Sequence, residues 1–117
     1  MSKVFIMRLF TKNHLWIDVE GNKAKIGITY LGQEFLGELI FINLPKIGDI
    51  LHIDTKFADV EGVKKVTDLL SMVNGAVLSI NEKLLEEPSI INSNADNEWL
   101  VEVEVDQIKE GLTEIEP

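Results

Sequence analysis

Phe57-Ala58-Asp59-Val60-Glu61-Gly62-Val63-Lys64-Lys65-Val66-Thr67-Asp68-Leu69-Leu70 is the stretch whose reading decides the fold of this chain. Two strand-like arms flank a centre that holds Gly62 and two lysines. Glycine can supply a backbone angle that other residues resist, which would project Val63, Lys64 and Lys65 at a hairpin tip. A lysine on a rigid, exposed tip is a handle for modification. Asp59, Glu61 and Asp68 surround it in sequence, and carboxylates favour its charged ammonium form, so it is a poor spontaneous nucleophile. If it is acylated, a ligase must do the chemistry. On spacing alone, the alternative is two solvated lysines in a polar turn.

Outward from this segment the chain reads as short strands. Ile (14) and Val (10) together outnumber Leu (14), and β-branched side chains suit a pleated, half-buried surface. Leu100-Val101-Glu102-Val103-Glu104-Val105 alternates apolar and acidic residues, while Ala24, Ile26 and Ile28 alternate with Lys23, Lys25 and Gly27. Glu20-Gly21-Asn22 separates residues 16–19 from 23–29 as a hairpin turn. Residues 45–49 separate a strand at 38–43 from one at 50–53, and Asn74-Gly75 is a hairpin signal because both residues tolerate positive φ. Strands and turns at this spacing predict an antiparallel sandwich or barrel.

Thr29 is placed to cap a short helix that stops at Gly37, and Asn81 to cap one over 82–87, before Pro88. Residues 106–110 read as one helical turn and 113–117 as a frayed end. The expected core comprises Trp16, Trp99, Ile26, Ile28, Leu39, Phe41, Val77, Ile80, Val101 and Val103. Glu98, Glu102 and Glu104 form an acidic strand face that could dock a basic partner.

A length of 117 residues suits one domain over 1–117, with a core at about 10–105 and a short tail from 106. The formal charge of −9 argues against nucleic acid and anionic lipid as partners. The absence of Cys excludes a disulfide scaffold, a thiol nucleophile and a Cys-based metal site. His14 and His52 are far apart and sit in no ligand spacing, so no metal site is expected. Neither a Gly-x-Ser-x-Gly elbow nor a phosphate-cradling glycine loop occurs, so no catalytic residue is expected. The longest apolar stretch, residues 36–44, is interrupted by Gly37, Glu38 and Asn43 and is too short to span a membrane. The N-terminus has Lys3 followed by apolar residues, but Arg8 interrupts them and no small-residue cleavage site follows. No signal peptide is therefore read, and the cytoplasm is the expected compartment. A monomer is expected, although no sequence feature fixes the oligomeric state.

The tip resembles the lipoylation motif of the glycine cleavage system H protein family, V-E-S-V-K-A-x-S-D, at Val60-Glu61-Gly62-Val63-Lys64-Lys65-Val66-Thr67-Asp68. Further elements line up from residue 10 to 105. Phe10-Thr11-Lys12-Asn13-His14-Leu15-Trp16 resembles Y-T-x-x-H-E-W, and the run from Ile26 through Gly37-Glu38 resembles V-G-I-T-x-x-A-Q-x-x-L-G-D. Leu44-Pro45-Lys46-Ile47-Gly48-Asp49 matches L-P-x-x-G-D; Ser71-Met72-Val73-Asn74-Gly75, Ile80-Asn81 and Glu98-Trp99-Leu100 resemble later elements.

The resemblance implies a mostly β barrel-sandwich hybrid of two small antiparallel sheets with short helices. It implies lipoate attached covalently at Lys64, with Glu61, Gly62 and Val63 in the recognition hairpin and Asp68, His14 and Ile28 at an arm cleft. It implies a non-catalytic carrier that takes an aminomethyl group from glycine decarboxylase and passes it to an aminomethyltransferase. Dihydrolipoyl dehydrogenase would reoxidise the arm, and a lipoate ligase or lipoyl transferase would install it. A biotin carrier, a cousin of this fold, would have Met on both sides of its lysine, where Val63 and Lys65 stand.

Departures from the family pattern are also readable. Leu15 stands at a glutamate position, Phe35 at a polar or His position, Met72 at a proline and Gly62 at a serine, where it should loosen the tip. The tail is short. A carboxylate holds an ammonium by a charge-assisted hydrogen bond and leucine does not. The changes at Leu15 and Phe35 therefore suggest a carrier that has left amine shuttling for lipoate relay or a redox role. An unmodified binding module on the same fold is the remaining reading.

Overall fold

The alternation at Ala24, Ile26 and Ile28 builds a strand, β3 (Lys23–Ile28), that turns all three residues inward. The computed structural model describes residues 6–117, so the signal-peptide reading around Lys3 lies partly outside the described residues. β3 pairs antiparallel with β2 (Leu15–Glu20) across a turn in which Gly21 has φ +61°, as the hairpin spacing predicts. Its other neighbour is β9 (Trp99–Ile108), which buries Leu100, Val101 and Val103. With β1 (Met7–Phe10), β5 (Ile50–Leu51) and β8 (Val73–Ile80), these strands form a sheet of order β1-β2-β3-β9-β8-β5.

The second sheet has the order β4-β6-β7, from β4 (Leu39–Asn43), β6 (Lys56–Gly62) and β7 (Val66–Leu70). Pairing within it is antiparallel. Two antiparallel sheets with short helices give the mostly β, barrel-sandwich hybrid architecture that the family resemblance implies. Residues 45–49 do not make a hairpin, since β4 and β5 lie in different sheets. Ile17, Ile26, Ile42, Val60, Leu100 and Val101 belong to one fully buried core cluster.

α1 (Tyr30–Leu36) forms where Thr29 and Gly37 place it. Thr29 Oγ1 accepts a hydrogen bond from the Gly32 amide at 3.0 Å, and Gly37 ends the helix at φ +74°. Trp16 is sealed in, and its indole N–H donates to the carbonyls of Ile28 and Ala95 at 3.1 and 3.0 Å. Any Cβ at Gly27 would collide with that indole, so the strand must be bare there.

Several local expectations are corrected. Phe41 is exposed and Ile42 is buried, because an irregularity between Leu39 and Phe41 shifts the inward face of β4 by one residue. Asn74-Gly75 is not a turn but part of β8. Asn74 Oδ1 accepts from the Ile53 amide, and Gly75 admits the Glu104 carbonyl of the neighbouring strand where a Cβ would overlap it. The reversal falls instead at Ser71, whose hydroxyl both donates to the Val73 carbonyl and accepts from its amide.

Asn81 does not cap a helix; its amide donates to the Trp99 carbonyl and the Glu98 carboxylate, and α2 (Lys83–Glu86) begins later. α3 (Ile90–Asn94) follows Pro88, where no helix is anticipated. Residues 106–108 continue β9 rather than turning helical, because β8 extends beside them and pairs Val73 with Ile108. Thr113 exchanges two backbone hydrogen bonds with Phe10, so fraying cannot begin there. Glu98 is buried and paired with Lys83 at 2.9 Å. Glu102 and Glu104 stand opposite Lys25 and Lys23 across the strands, so the expected acidic face is balanced by lysine. No helix among the described residues is long and apolar enough to cross a membrane.

Candidate functional site: a lysine hairpin and its groove

β6 and β7 pair Val60 with Thr67 and Glu61 with Val66, which leaves Val63, Lys64 and Lys65 to make the tip. The Gly62 amide closes the turn by donating to the Lys65 carbonyl at 2.9 Å. Two more bonds tie the tip to the body: the Val63 amide donates to Glu38 and the Lys64 amide to Leu36, both at 3.0 Å. The tip is therefore held by the end of α1 and the start of β4.

Gly62 works by closeness, not by backbone freedom. Its φ is not among the positive values, and a Cβ there would overlap the Leu36 carbonyl. Gly62 is buried, and the tip is tight rather than loosened, which corrects the expectation from its place in the motif. Val63 and Val66 stand out into solvent on either side of the two lysines. Lys64 is exposed; its stem lies against Gly37 and its Nζ reaches the Glu34 carbonyl at 3.4 Å.

The surrounding charges are arranged differently from the sequence expectation. Asp59 and Asp68 do not attend Lys64; they hold Lys56, at 3.0 and 3.4 Å. The hydrogen bond that Lys56 donates to Asp59 pushes its pKa up; desolvation is the next influence and opposes it, and the charges of Asp59 and Asp68 add to the rise. Glu61 is exposed and lies between Phe41 and Val66 in one cross-strand row below the tip. On α1, the neighbouring Glu34 carboxylate raises the Tyr30 pKa, and the same carboxylate accepts from the Gln33 side-chain amide at 3.3 Å.

A groove of about 240 Å³ opens beside the tip. His14, Leu15 and Ile28 form one wall, Gly32, Phe35 and Leu36 of α1 a second, and Lys65, Thr67 and Leu69 a third. The sequence thus named two of its residues, His14 and Ile28. Asp68 is placed elsewhere: alternation along β7 sends Thr67 and Leu69 toward the groove and Asp68 to the opposite, exposed face. His14 has φ +64° and stacks at an angle on Phe35, ring centroids 5.0 Å apart. Its Nδ1 is buried without a hydrogen-bond partner. A second cavity of about 300 Å³, between Lys12, Asp54, Met72 and Leu112, is not lined by the tip.

Asn92 is the supporting residue that the sequence reading missed. Its Oδ1 accepts from the Leu39 amide at 2.8 Å, and its Nδ2 donates to Gln33 Oε1 at 2.7 Å and to the Gly37 carbonyl at 2.9 Å. One side chain of α3 thus fastens the end of α1 to the start of β4, the two segments that hold the tip. A polar residue directly after Ile90-Ile91 is the only local trace of that role. Among the described residues, no group of three or more His, Cys, Asp or Glu side chains is placed to hold a metal ion.

Two packed sheets that present a lysine on a fastened hairpin tip define a carrier domain of the barrel-sandwich hybrid class. Comparison with known proteins agrees. The family described as "Glycine cleavage H-protein" matches residues 8–115. The glycine cleavage system H protein of Alkaliphilus oremlandii is 42% identical over 97 residues, covering 83% of this chain and 76% of that protein. The one from Bacillus cereus is 36% identical over 108 residues, covering 89% and 85%. The crystal structure of the H protein from Mycobacterium marinum superposes with a TM-score of 0.84 at 28% identity, covering 91% of this chain and 88% of that one. The chain belongs to the glycine cleavage H-protein family, whose members are non-catalytic carrier components.

Proposed function

We propose that this chain is a lipoyl carrier modified on Lys64, serving glycine decarboxylase, the aminomethyltransferase and dihydrolipoyl dehydrogenase in turn. The observation that carries the reading is the tip itself. The Lys64 amide is bound to Leu36 while its side chain remains exposed, so the backbone is rigid where the handle is free. A ligase needs that combination, because an ordered tip costs it no ordering entropy on docking. Glu61, Gly62 and Val63 sit beside the lysine, where an installing enzyme would read them.

When bound, lipoate supplies a disulfide that opens and closes reversibly and can take up an aminomethyl group. This chain's part is to position that group and carry it between sites at high effective concentration. With no Cys in the chain, no native thiol competes for the arm as a mixed disulfide.

The test is co-expression with a lipoate ligase, supply of lipoate, and intact mass. A lipoyl adduct that persists in Lys65→Arg and vanishes in Lys64→Arg is expected. No adduct, under conditions that modify another H protein, would make the chain an unmodified binding module instead.

A further inference from the structure

We propose that the outward face of α1, with Val63 at its end, is the surface on which glycine decarboxylase seats when it takes up the arm of Lys64. The inference rests on the carrier reading for the partner, and on the helix itself for the surface.

The pattern on α1 comes first. Gly32, Gln33 and Leu36 are turned in and buried. A surface helix with one buried face ordinarily turns charged and polar side chains to solvent. Here Tyr30, Leu31, Glu34 and Phe35 are the outward residues, and only Glu34 is charged. Tyr30 and Phe35 are each more than half exposed. Tyr30 stands one turn from Glu34 and Leu31 one turn from Phe35, so the four make two adjoining rows. The face continues to the tip, because Val63, also exposed, lies with the Lys64 stem against Gly37, where α1 ends. The other exposed apolar pair near the tip, Phe41 and Val66, is divided by Glu61.

Position decides the occupant. Lys64 Nζ lies at the Glu34 carbonyl, so an arm attached there leaves the chain beside this helix. An enzyme that encloses the arm must bring its entrance down on Lys64, and α1 is what that entrance meets. The group loaded in the first step is open to attack by water, so the loading enzyme gains from a contact that shuts water out. Apolar residues around the point of entry do that. The surface is also ready-made, since Asn92 binds Gln33 and the Gly37 carbonyl and so holds the helix end.

Charge narrows the partner. Acylation turns the Lys64 ammonium into an uncharged amide. Glu34 and Glu38 then remain exposed beside the face and Glu61 across the tip, none of them within ion-pair distance of a cation among the described residues. Lys65 is the one lysine left at the tip, and its side chain lines the groove together with His14, which stacks on Phe35. Carboxylates therefore outnumber cations around the seat. The surface that fits is apolar, with a lysine or arginine at its rim facing Glu34 and Glu38.

Lipoylated chains, each confirmed by intact mass, are compared as substrates of glycine decarboxylase. Tyr30→Gln and Leu31→Gln keep the helix and add no charge. Each should raise KM at least about fivefold and leave kcat near the wild-type value, which marks lost docking rather than lost chemistry. Ile115→Gln, at an exposed apolar residue of the tail, should leave KM unchanged. Glu34→Gln should flatten the rise of KM with salt. Transferred cross-saturation from the decarboxylase, which needs no variant, should reach the methyl groups of Leu31 and Val63. Unchanged KM in both helix variants, an equal rise in Ile115→Gln, a wild-type salt dependence in Glu34→Gln or no saturation at those methyls overturns the proposal. If Lys64 takes no adduct, the carrier reading falls and this docking with it; an adduct with unchanged KM removes the docking alone.

Discussion

Gly62 shows how a single residue sets the site. The hairpin needs a residue without Cβ because the Leu36 carbonyl passes against it, and that same carbonyl accepts from the Lys64 amide. Closing the tip and fastening it are thus one contact. Gly62→Ala is therefore expected to lower stability by about 1–3 kcal/mol, the range for forcing atoms into a filled space. Urea unfolding measures it, and an unchanged midpoint would show that the helix end yields freely. The need for glycine was legible in the segment 57–70, but its reason was not. Local sequence suggested a special φ, whereas the cause is the backbone of Leu36, 26 positions upstream.

At the scale of elements, the site depends on a junction. α1, β4 and the tip meet where Asn92 binds Leu39, Gln33 and Gly37. Removing that side chain leaves a backbone amide and a carbonyl without partners in a half-buried place. Asn92→Ala should cost about 1–3 kcal/mol by thermal or urea unfolding, as unpaired buried polar groups do. Its hydrogen-exchange protection at Leu39 should fall with it.

The outer face of the β6–β7 hairpin makes a different prediction. Lys56, raised by Asp59 and then Asp68, has a higher pKa folded than its ordinary 10.5. Its contribution is therefore complete below 10.5 and is lost as pH rises through the folded value. Stability measured over that alkaline range should fall more in the wild type than in Lys56→Met. Parallel curves would show that the ion pair adds nothing, as many exposed pairs do.

Across the whole molecule, Trp16 joins parts that are far apart in sequence. Its indole N–H links the end of β3 to the Ala95 carbonyl after α3, and its ring fills the space above Gly27. Trp16→Phe would leave two carbonyls unpaired and a gap in the packing. A loss of about 2–4 kcal/mol in urea unfolding is expected from those two costs together. A smaller loss would mean that water or a shifted side chain takes the indole's place.

Short-range physics determined much of this protein from sequence alone. The inward alternation of β3 and β9, the turn at Gly21, the Thr29 cap, the Gly37 stop and the projecting lysine pair all depend on residues a few positions apart. Only the tertiary structure decided the rest. It buried Ile42 instead of Phe41, because an irregular pairing shifted the strand. It ran β8 straight through Asn74-Gly75, because Glu104 of a distant strand approaches there. It gave Asp59 and Asp68 to Lys56, turned Asp68 away from the groove, and put Lys65 into its wall. Propensity and periodicity act along the chain, whereas register, close approach and the company a charge keeps are set by segments that sequence distance does not reveal.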